Sequence, residues 1–253
     1  MHIPRSNNST TWGKSMVDFH THVLPQMDDG SQSVQESMQM LHVSALQGVT
    51  TLIATPHFYA RENDICTFLK RRSRAVSQLI SAWTETRPRL LLGAEVHYFE
   101  GISQANDLIC LRIENSELLL LEMPFDQWED WMVREVIALN AYKGVTVVLA
   151  HIERYFQFQN SPAINRLLAS GVLMQANAAF LLQRNTRKKA LQMLENGQIH
   201  CLGSDCHNMT LRPPCLLQAI EFLRQNWSAQ ETAAFLRRQN AYLTIGSRKE
   251  VKL

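Results

Sequence analysis

The sequence is poor in the features that mark several classes of protein. It has five cysteines among its 253 residues, with no Cys-x-x-Cys pair, and its net charge is only +2. An odd and scattered set of cysteines argues against a disulfide framework, so we expect a reduced, cytoplasmic protein. The balanced charge gives no electrostatic reason to expect nucleic acid or a membrane surface as a partner.

Long apolar runs are missing as well. No stretch approaches the roughly 18 apolar residues that cross a membrane, and residues 1–15 contain no apolar segment of the kind found in a signal peptide. We expect residues 1–15 to form a flexible tail and residues 16–253 to form a single domain. A chain of this length suits one large α/β domain, such as a barrel of about 250 residues.

What the sequence does contain is a regular alternation of apolar runs and helical segments. Near-continuous apolar strands that alternate with helices are typical of a parallel sheet covered by helices. Seven such units predict a (β/α)7 barrel, with an open sheet as the alternative. After a first short run that leads into His20 and His22, the predicted strands are residues 49–54, 90–95, 117–122, 145–150, 172–176 and 199–204.

Residues of metal-ligand type stand at the ends of these predicted strands. His20 and His22 lie two residues apart, so on a strand both side chains point to the same side. Because the carboxyl ends of parallel strands meet on one face, we expect all of these residues to converge there. A lone histidine usually has a plain structural role, but a whole set at matching positions predicts a multinuclear metal site. The candidates are His20, His22, Asp29, His57, Glu95, Glu122, His151, Asp205 and His207.

The types of donor restrict the metal and suggest the reaction. Imidazoles and carboxylates without a thiolate suit Mn²⁺, Fe²⁺ or Zn²⁺ rather than Ca²⁺. Three divalent ions would keep a positive charge beside these carboxylates, which favours binding of a phosphate dianion. Arg154 follows His151 by about one helical turn, so its guanidinium can bind phosphate oxygens. We therefore expect metal-assisted hydrolysis of a phosphate ester, without covalent cysteine chemistry.

Several segments that carry these residues resemble the polymerase-and-histidinol-phosphatase (PHP) superfamily. More narrowly, they are similar to the manganese-dependent bacterial tyrosine-protein phosphatases of capsular and exopolysaccharide operons, and the match runs from about residue 16 to residue 245. The segments are His20-x-His22, Asp28-Asp29-Gly30, Thr55-Pro56-His57, Gly93-Ala94-Glu95, Glu122, residues 150–155 (Ala-His-Ile-Glu-Arg-Tyr) and residues 204–208 (Ser-Asp-Cys-His-Asn).

This resemblance implies a fold, a cofactor and a substrate. The fold would be a distorted (β/α)7 TIM-like barrel of the PHP type. The cofactor would be three divalent metal ions, with Mn²⁺ expected and iron or zinc as alternatives. The substrate would be phosphotyrosine on the tyrosine-rich tail of an autophosphorylated bacterial tyrosine kinase that regulates capsular or exopolysaccharide synthesis. Whether the chain forms a homo-oligomer does not follow from the sequence.

The resemblance also implies roles for individual residues. Arg154 would be the catalytic arginine that binds the phosphate, and Arg212 would line the substrate entrance. Asp28 is expected to be a turn residue rather than a ligand, while His97 and Asn177 are open to either a structural role or a place at the pocket. The ligands would divide into His20, His22, Glu95 and Asp205 for one ion, Glu95, Glu122 and His151 for a second, and Asp29, His57 and His207 for a third.

Two other functions are compatible with this pattern. The chain could be a small-molecule phosphoesterase similar to a histidinol phosphatase, or a non-catalytic, metal-bound regulatory domain. The complete set of candidate ligands disfavours the regulatory domain. A shallow pocket mouth would favour a protein substrate, whereas a closed mouth would favour a metabolite. Resemblance in fold does not decide between a protein phosphatase and a small-molecule phosphatase.

Overall fold

The fold is described from a computed structural model, which covers residues 15–142, 144–159 and 161–244. The predicted tail lies outside these described residues except for Ser15, and so do residues 245–253 of the predicted domain. Among the described residues, no helix is long and apolar enough to cross a membrane.

The described strands are short and pair in parallel throughout. They are β1 Val17–Thr21, β2 Thr51–Ala54, β3 His57–Phe58, β4 Arg89–Leu92, β5 Glu95–His97, β6 Leu118–Glu122, β7 Thr146–Leu149, β8 Leu173–Asn177 and β9 Cys201–Gly203. One sheet has the order β1-β2-β4, and the other has the order β3-β5-β6-β7-β8-β9. All-parallel pairing of this kind agrees with the predicted α/β class.

Two short strands that the sequence did not predict as separate elements, β3 and β5, follow the predicted strands 49–54 and 90–95. Residues 55 and 56 separate β2 from β3, and residues 93 and 94 separate β4 from β5. Pro56 has no N–H to give to a ladder, which explains the first break. Pairing still continues across the gap, because the Gly93 N–H donates to the Ala54 carbonyl at 2.8 Å and the Glu95 N–H to the Pro56 carbonyl at 3.1 Å.

The first and last strands meet, so the sheet curls back on itself. The Asp205 N–H donates to the His20 carbonyl at 2.8 Å, and the His22 N–H donates to the Cys206 carbonyl at 2.9 Å. Thr21 and Cys206 form a parallel bridge between the same two segments. These bonds bring the segment just after β9 against the end of β1, where candidate ligands from both ends of the chain lie.

Helices cover the outer face of the curled sheet. In β6, Leu118 and Leu120 pack in an inner cluster made almost wholly of strand residues, whereas Leu119 and Leu121 pack in the larger cluster that includes the helices. Burying each such leucine contributes roughly 1.5–3 kcal/mol. The helices are α1 Val34–Leu46, α2 Ile65–Ala82, α3 Asp130–Asn140, α4 Ser161–Ala169, α5 Ala178–Leu182, α6 Arg187–Glu195, α7 Leu216–Asn226 and α8 Ala229–Tyr242, with short 3-10 helices at Ile102–Gln104, Asn106–Leu111 and Ile152–Tyr155.

Candidate metal centre

The two histidines that end β1 face each other and two carboxylates. The Nε2 atoms of His20 and His22 are 3.0 Å apart. Each of them lies 3.1–3.2 Å from Oε2 of Glu95 and 3.4–3.5 Å from Oδ1 of Asp205. All of these side chains are buried. The structure therefore brings His20, His22, Glu95 and Asp205 together in one group.

Glu95 connects this group to a second one. Its Oε1 lies 2.9 Å from Nε2 of His151, and the same ring nitrogen lies 3.2 Å from Oε1 of Glu122. The two oxygens of the Glu95 carboxylate thus face different sets of residues. A carboxylate in this position can bridge two cations, as the resemblance implies for Glu95.

The remaining candidates complete the cluster at its outer side. Oδ1 of Asp29 lies 3.4 Å from Nε2 of His207 and 3.7 Å from Nε2 of His57. The Asp29 side chain is 69% exposed, so this group opens to solvent. The Nδ1 atom of His57 also lies 3.2 Å from Oε2 of Glu95, which links the third group to the first two.

The residues present fit divalent metal ions by their chemistry. The Nδ1 atom of His57 and the Nε2 atom of His207 are buried and have no hydrogen-bond partner, although carboxylate oxygens lie close to both. Buried ring nitrogens normally have partners, and a neutral imidazole nitrogen beside a carboxylate is a suitable ligand for a divalent cation. Three overlapping groups bring their ligand atoms within 4.8 Å of one another: His22, Asp29, His57 and His207; His20, His22 and Glu95; and His57, Glu95 and Glu122.

Neighbouring carboxylates raise the pKa values of two of the candidate histidines, His22 and His151. Burial opposes charging of His22, but the Asp28 carboxylate and a hydrogen bond to Asp205 raise its pKa well above the usual value. Burial also opposes charging of His151, but hydrogen bonds to Glu122 and Glu95 raise its pKa to about 9. Imidazole must lose its proton before it binds a metal, so divalent ions would replace protons here.

Polar residues behind the cluster fix the orientation of the histidines. Oε1 of Gln175 accepts the His151 backbone N–H at 2.7 Å, and this unambiguous donor sets the orientation of the amide. The same oxygen lies 3.1 Å from Nδ1 of His20, which must therefore donate and leave the Nε2 lone pair free toward Glu95 and Asp205. Asp28 orients His22, because its Oδ2 accepts from Nδ1 of that ring at 2.7 Å while Nε2 faces Glu95 and Asp205. Such partners typically orient metal-binding histidines.

The sequence analysis did not identify Gln175 as a site residue, and it assigned Asp28 only a role in the turn. Gln175 is a fully buried polar side chain in an otherwise apolar strand, and that pattern was the available signal. Asp28 does sit in the turn as expected, where it accepts the Gly30 N–H at 2.9 Å. It also accepts the His57 backbone N–H at 2.8 Å, so it joins two of the ligand-bearing segments.

Strained and close-packed backbone holds two strand ends in place. His151 has φ of 30° and Asp205 has φ of 53°, both in the left-handed region. Such conformations cost on the order of 1–3 kcal/mol each and are concentrated at functional sites.

Gly203 packs directly behind His20, since a Cβ on Gly203 would lie 2.5 Å from Cβ of His20. Gly30 has the same relation to His22, at 2.4 Å.

Both predicted arginines lie beside the cluster. Nη2 of Arg154 lies 3.1 Å from Oδ2 of Asp205, and a guanidinium nitrogen of Arg212 contacts the same oxygen. Asn177, which the sequence left open, also donates to this oxygen from Nδ2, at 2.7 Å, and lines the larger cavity beside the cluster. Oδ1 of Asp205 meanwhile faces the histidines, so this carboxylate joins the candidate ligands to the arginines. His97, the other open candidate, lies with Nδ1 3.0 Å from Oε2 of Glu122.

Covalent cysteine chemistry, which the sequence analysis does not expect, would need a reactive thiol at the mouth of the cluster. The Cys-x5-Arg spacing of covalent phosphatases occurs twice, from Cys66 to Arg72 and from Cys206 to Arg212. Cys66 lies in the first turn of α2, and Arg72 is buried and donates to the Gly93 carbonyl. Cys206 is fully buried, and burial together with the nearby Asp18 raises the pKa of its thiol well above the usual value. Neither thiol is placed as an exposed nucleophile at the mouth.

The cluster opens at a mouth that continues on two sides. The cavity over the candidate ligands has a volume of about 350 Å³. At Arg154 and Arg212 it adjoins a second cavity of about 700 Å³. At Tyr59 and His97 it adjoins a third of about 450 Å³. A substrate larger than a single phosphorylated metabolite therefore has room on either side of the cluster.

Comparison with known proteins agrees with this geometry. The chain is 26% identical over 230 residues to tyrosine-protein phosphatase CpsB of Streptococcus agalactiae serotype III (strain NEM316), which covers 85% of this chain and 92% of that protein. It is 27% identical over 240 residues to tyrosine-protein phosphatase YwqE of Bacillus subtilis (strain 168), with 91% of each chain covered.

A solved structure resembles the fold over nearly its whole length. The crystal structures of YwqE from Bacillus subtilis and CpsB from Streptococcus pneumoniae are described as unique metal-dependent tyrosine phosphatases. The match has a TM-score of 0.78 at 24% identity and covers 91% of this chain and 95% of the other. The family model for capsular polysaccharide synthesis, CpsB/CapC, matches residues 16–245. The chain therefore belongs to the CpsB/CapC family of capsular polysaccharide synthesis.

Proposed function

We propose that this chain is a metal-dependent tyrosine-protein phosphatase. The observation that carries the proposal is the cluster of buried imidazoles and carboxylates, with two arginines at its edge, in a chain whose relatives are named tyrosine-protein phosphatases. The same proposal includes a distorted (β/α)7 barrel, in which β2 with β3 and β4 with β5 each act as one strand. Continuous pairing across both breaks supports this count.

The proposed cofactor is three divalent ions, with Mn²⁺ expected and iron or zinc as alternatives. Geometry supports a shared role for Glu95, whose two oxygens face different histidines. When bound, such ions supply positive charge to the phosphate and activate water as a nucleophile. The proposed ligands are His20, His22, Asp29, His57, Glu95, Glu122, His151, Asp205 and His207.

Arg154 and Arg212 would bind the substrate phosphate. Asp205 anchors one end of each guanidinium, and other N–H groups remain for phosphate oxygens, which arginine binds well because its donors form a planar fork. Phe125 is 43% exposed, and its ring lies 5.6 Å from that of His151, so it can pack against a phenyl ring at the mouth. A departing phenolate has a pKa near 10, so less help from a general acid is needed than for an alkyl ester.

The open mouth supports a protein rather than a metabolite as substrate. Space continues on both sides of the cluster, as a peptide chain on either side of a phosphotyrosine requires. We propose the tyrosine-rich tail of an autophosphorylated bacterial tyrosine kinase as this substrate, with action in the cytoplasm. The small-molecule phosphoesterase similar to a histidinol phosphatase stays as the alternative that the experiment must separate.

The decisive experiment is hydrolysis by purified protein loaded with Mn²⁺. We expect release of phosphate from a phosphotyrosine peptide with a higher kcat/KM than from histidinol phosphate or sugar phosphates, and loss of activity with EDTA. Bound metal would be counted for His151→Ala and for the control His42→Ala, whose side chain is exposed on α1. Chelator-resistant hydrolysis, a preference for histidinol phosphate, or unchanged metal content in His151→Ala would each contradict the proposal.

A further inference from the structure

A large cavity beside the metal centre is lined by both cationic and apolar side chains. We call it the flanking cavity, and its distinctive lining residues are Arg154, Phe156, Phe180, Lys189, Leu211 and Arg212. Its volume of about 700 Å³ is larger than the 350 Å³ over the candidate ligands. A phosphotyrosine with its phosphate at the cluster would leave this second space for another part of the substrate.

Cationic side chains outnumber carboxylates in the lining of the flanking cavity. The acidic group that it shares with the metal centre, Asp205, is already satisfied at Oδ2 by Arg154, Arg212 and Asn177. The other carboxylate there, Glu153, lies beside the backbone N–H of Asn177, 3.3 Å from it, on the inner wall. The cations at the opening therefore face solvent with few competing acidic groups.

Lys189 is the cation of this cavity that the metal centre does not use. It projects from α6, and its Nζ lies 3.6 Å from the centroid of the Phe156 ring. Among the described residues, no carboxylate lies within 4.0 Å of that nitrogen, and no hydrogen bond to it is seen. Attraction between the ammonium group and the ring face positions the Lys189 side chain. Such a group is ready to pair with an anion brought by the substrate.

Apolar side chains line the same space. The rings of Phe156 and Phe180 lie 6.0 Å apart, and Leu211 is 87% exposed at the rim. The methylene groups of a glutamate or aspartate side chain can pack on these surfaces while the carboxylate reaches Lys189. An extended peptide advances by about 3.3 Å per residue, so residues within three positions of the phosphotyrosine lie within about 10 Å of it along the chain.

We infer that the flanking cavity is a subsite for an acidic residue close to the phosphotyrosine, and that Lys189 determines this specificity. This inference rests on the proposed phosphatase function. It names the substrate class more closely: phosphotyrosyl peptides with glutamate or aspartate near the phosphorylated residue. Small phosphate esters would not reach this subsite.

The test compares phosphotyrosyl peptides that differ at one position. Glutamate, glutamine or lysine is placed in turn at each of the three positions on either side of the phosphotyrosine, and kcat/KM is measured with Mn²⁺-loaded protein. We expect the wild type to prefer glutamate to glutamine by about three- to fivefold at one or more positions, the size of one partly screened charge pair. The preference should weaken as salt rises.

Variants assign the preference to Lys189. The ratio of kcat/KM for the glutamate and glutamine peptides is taken within each protein, which cancels any general loss of activity. Lys189→Gln should bring the ratio to about one, and Lys189→Glu should favour the lysine peptide. The control is Lys188→Gln, because Lys188 is exposed on the same helix but does not line the flanking cavity; its ratio should match the wild type.

Binding gives a second measurement that does not depend on turnover. Non-hydrolysable phosphonate versions of the same peptides should show the same charge preference in their Kd values. A wild type that hydrolyses all the peptides equally, or a Lys189→Gln variant that keeps the preference, overturns the subsite while leaving the phosphatase function intact. Failure to hydrolyse any phosphotyrosyl peptide or p-nitrophenyl phosphate overturns the proposed function, and the subsite with it.

Discussion

Replacing Gln175 by leucine would remove one oxygen on which two proposed ligands depend. Oε1 of Gln175 accepts from the His151 backbone N–H at 2.7 Å and from Nδ1 of His20 at 3.1 Å. Its Nε2 donates to Oδ1 of Asn177 at 3.0 Å, and Asn177 in turn holds Asp205. Leucine has a similar size but offers no acceptor, so both donors would be left without a partner in a fully buried position.

The magnitude follows from those two lost bonds. A buried donor left unsatisfied costs about 1–3 kcal/mol, so two of them lead us to expect that Gln175→Leu loses roughly 2–6 kcal/mol of unfolding free energy. Loss of a residue that orients a metal ligand typically lowers metal affinity by about 10- to 100-fold. His20 would also be free to adopt the tautomer that turns a protonated Nε2 toward the carboxylates, which would weaken its binding to a cation.

Two measurements separate these effects. Urea unfolding of the metal-stripped protein gives the change in stability, and titration with Mn²⁺ gives the change in affinity. The control Gln39→Leu, at an exposed position of α1, should change neither quantity. Wild-type Mn²⁺ affinity in Gln175→Leu, with unchanged stability, would refute the positioning role.

Three further changes test other parts of the reasoning. Gly203→Ala would place a Cβ 2.5 Å from Cβ of His20, so bound Mn²⁺ measured by mass spectrometry should fall; retention of full metal content would contradict the packing argument. Arg154→Ala should reduce turnover of p-nitrophenyl phosphate by at least about tenfold while metal content stays near wild type, and equal activity would remove Arg154 from the reaction. Burial and the nearby Arg238 lower the pKa of His200 to about 4, so the unfolded chain takes up a proton there first and stability falls as pH drops from about 6.5 toward 4. His200→Gln keeps an acceptor for the Met174 N–H. It should reduce the loss of unfolding free energy between pH 7 and pH 4.5, measured by urea unfolding, by about 1–2 kcal/mol after screening. A loss of unfolding free energy equal to that of the wild type would contradict the assignment to His200.

The candidate ligands could be predicted because residues of metal-ligand type stand at the strand ends, and the topology of the fold brings those ends together. In a parallel α/β fold, a residue at the carboxyl end of a strand has a nearly fixed place. His57, Glu95 and His151 needed only correct strand assignments to be brought together. The sequence also contained the reason for one strand break, since a proline within an apolar run argues against an uninterrupted strand. Pro56 occupied that position.

Features made by several distant segments could not be predicted in this way. The flanking cavity combines a 3-10 helix, α5, α6 and the loop after β9, and no local pattern gives the distance between them. The same is true of Lys189, which on sequence is one more exposed lysine on an amphipathic helix. Its position over Phe156 depends on how α6 packs against the segment after β7.

The backbone hydrogen bonds that close the sheet also bring candidate metal ligands from the two ends of the chain together. The backbone bonds from Asp205 to His20 and from His22 to Cys206 fix the register between the first and last strands. A slip of one residue in that register would turn His20 and His22 to the other face of β1. Ions bound by His20, His22 and Asp205 would in turn tie the two ends of the chain together, since a ligand that binds only the folded state stabilises it. The position of the site at this seam therefore makes metal affinity and closure of the fold mutually dependent.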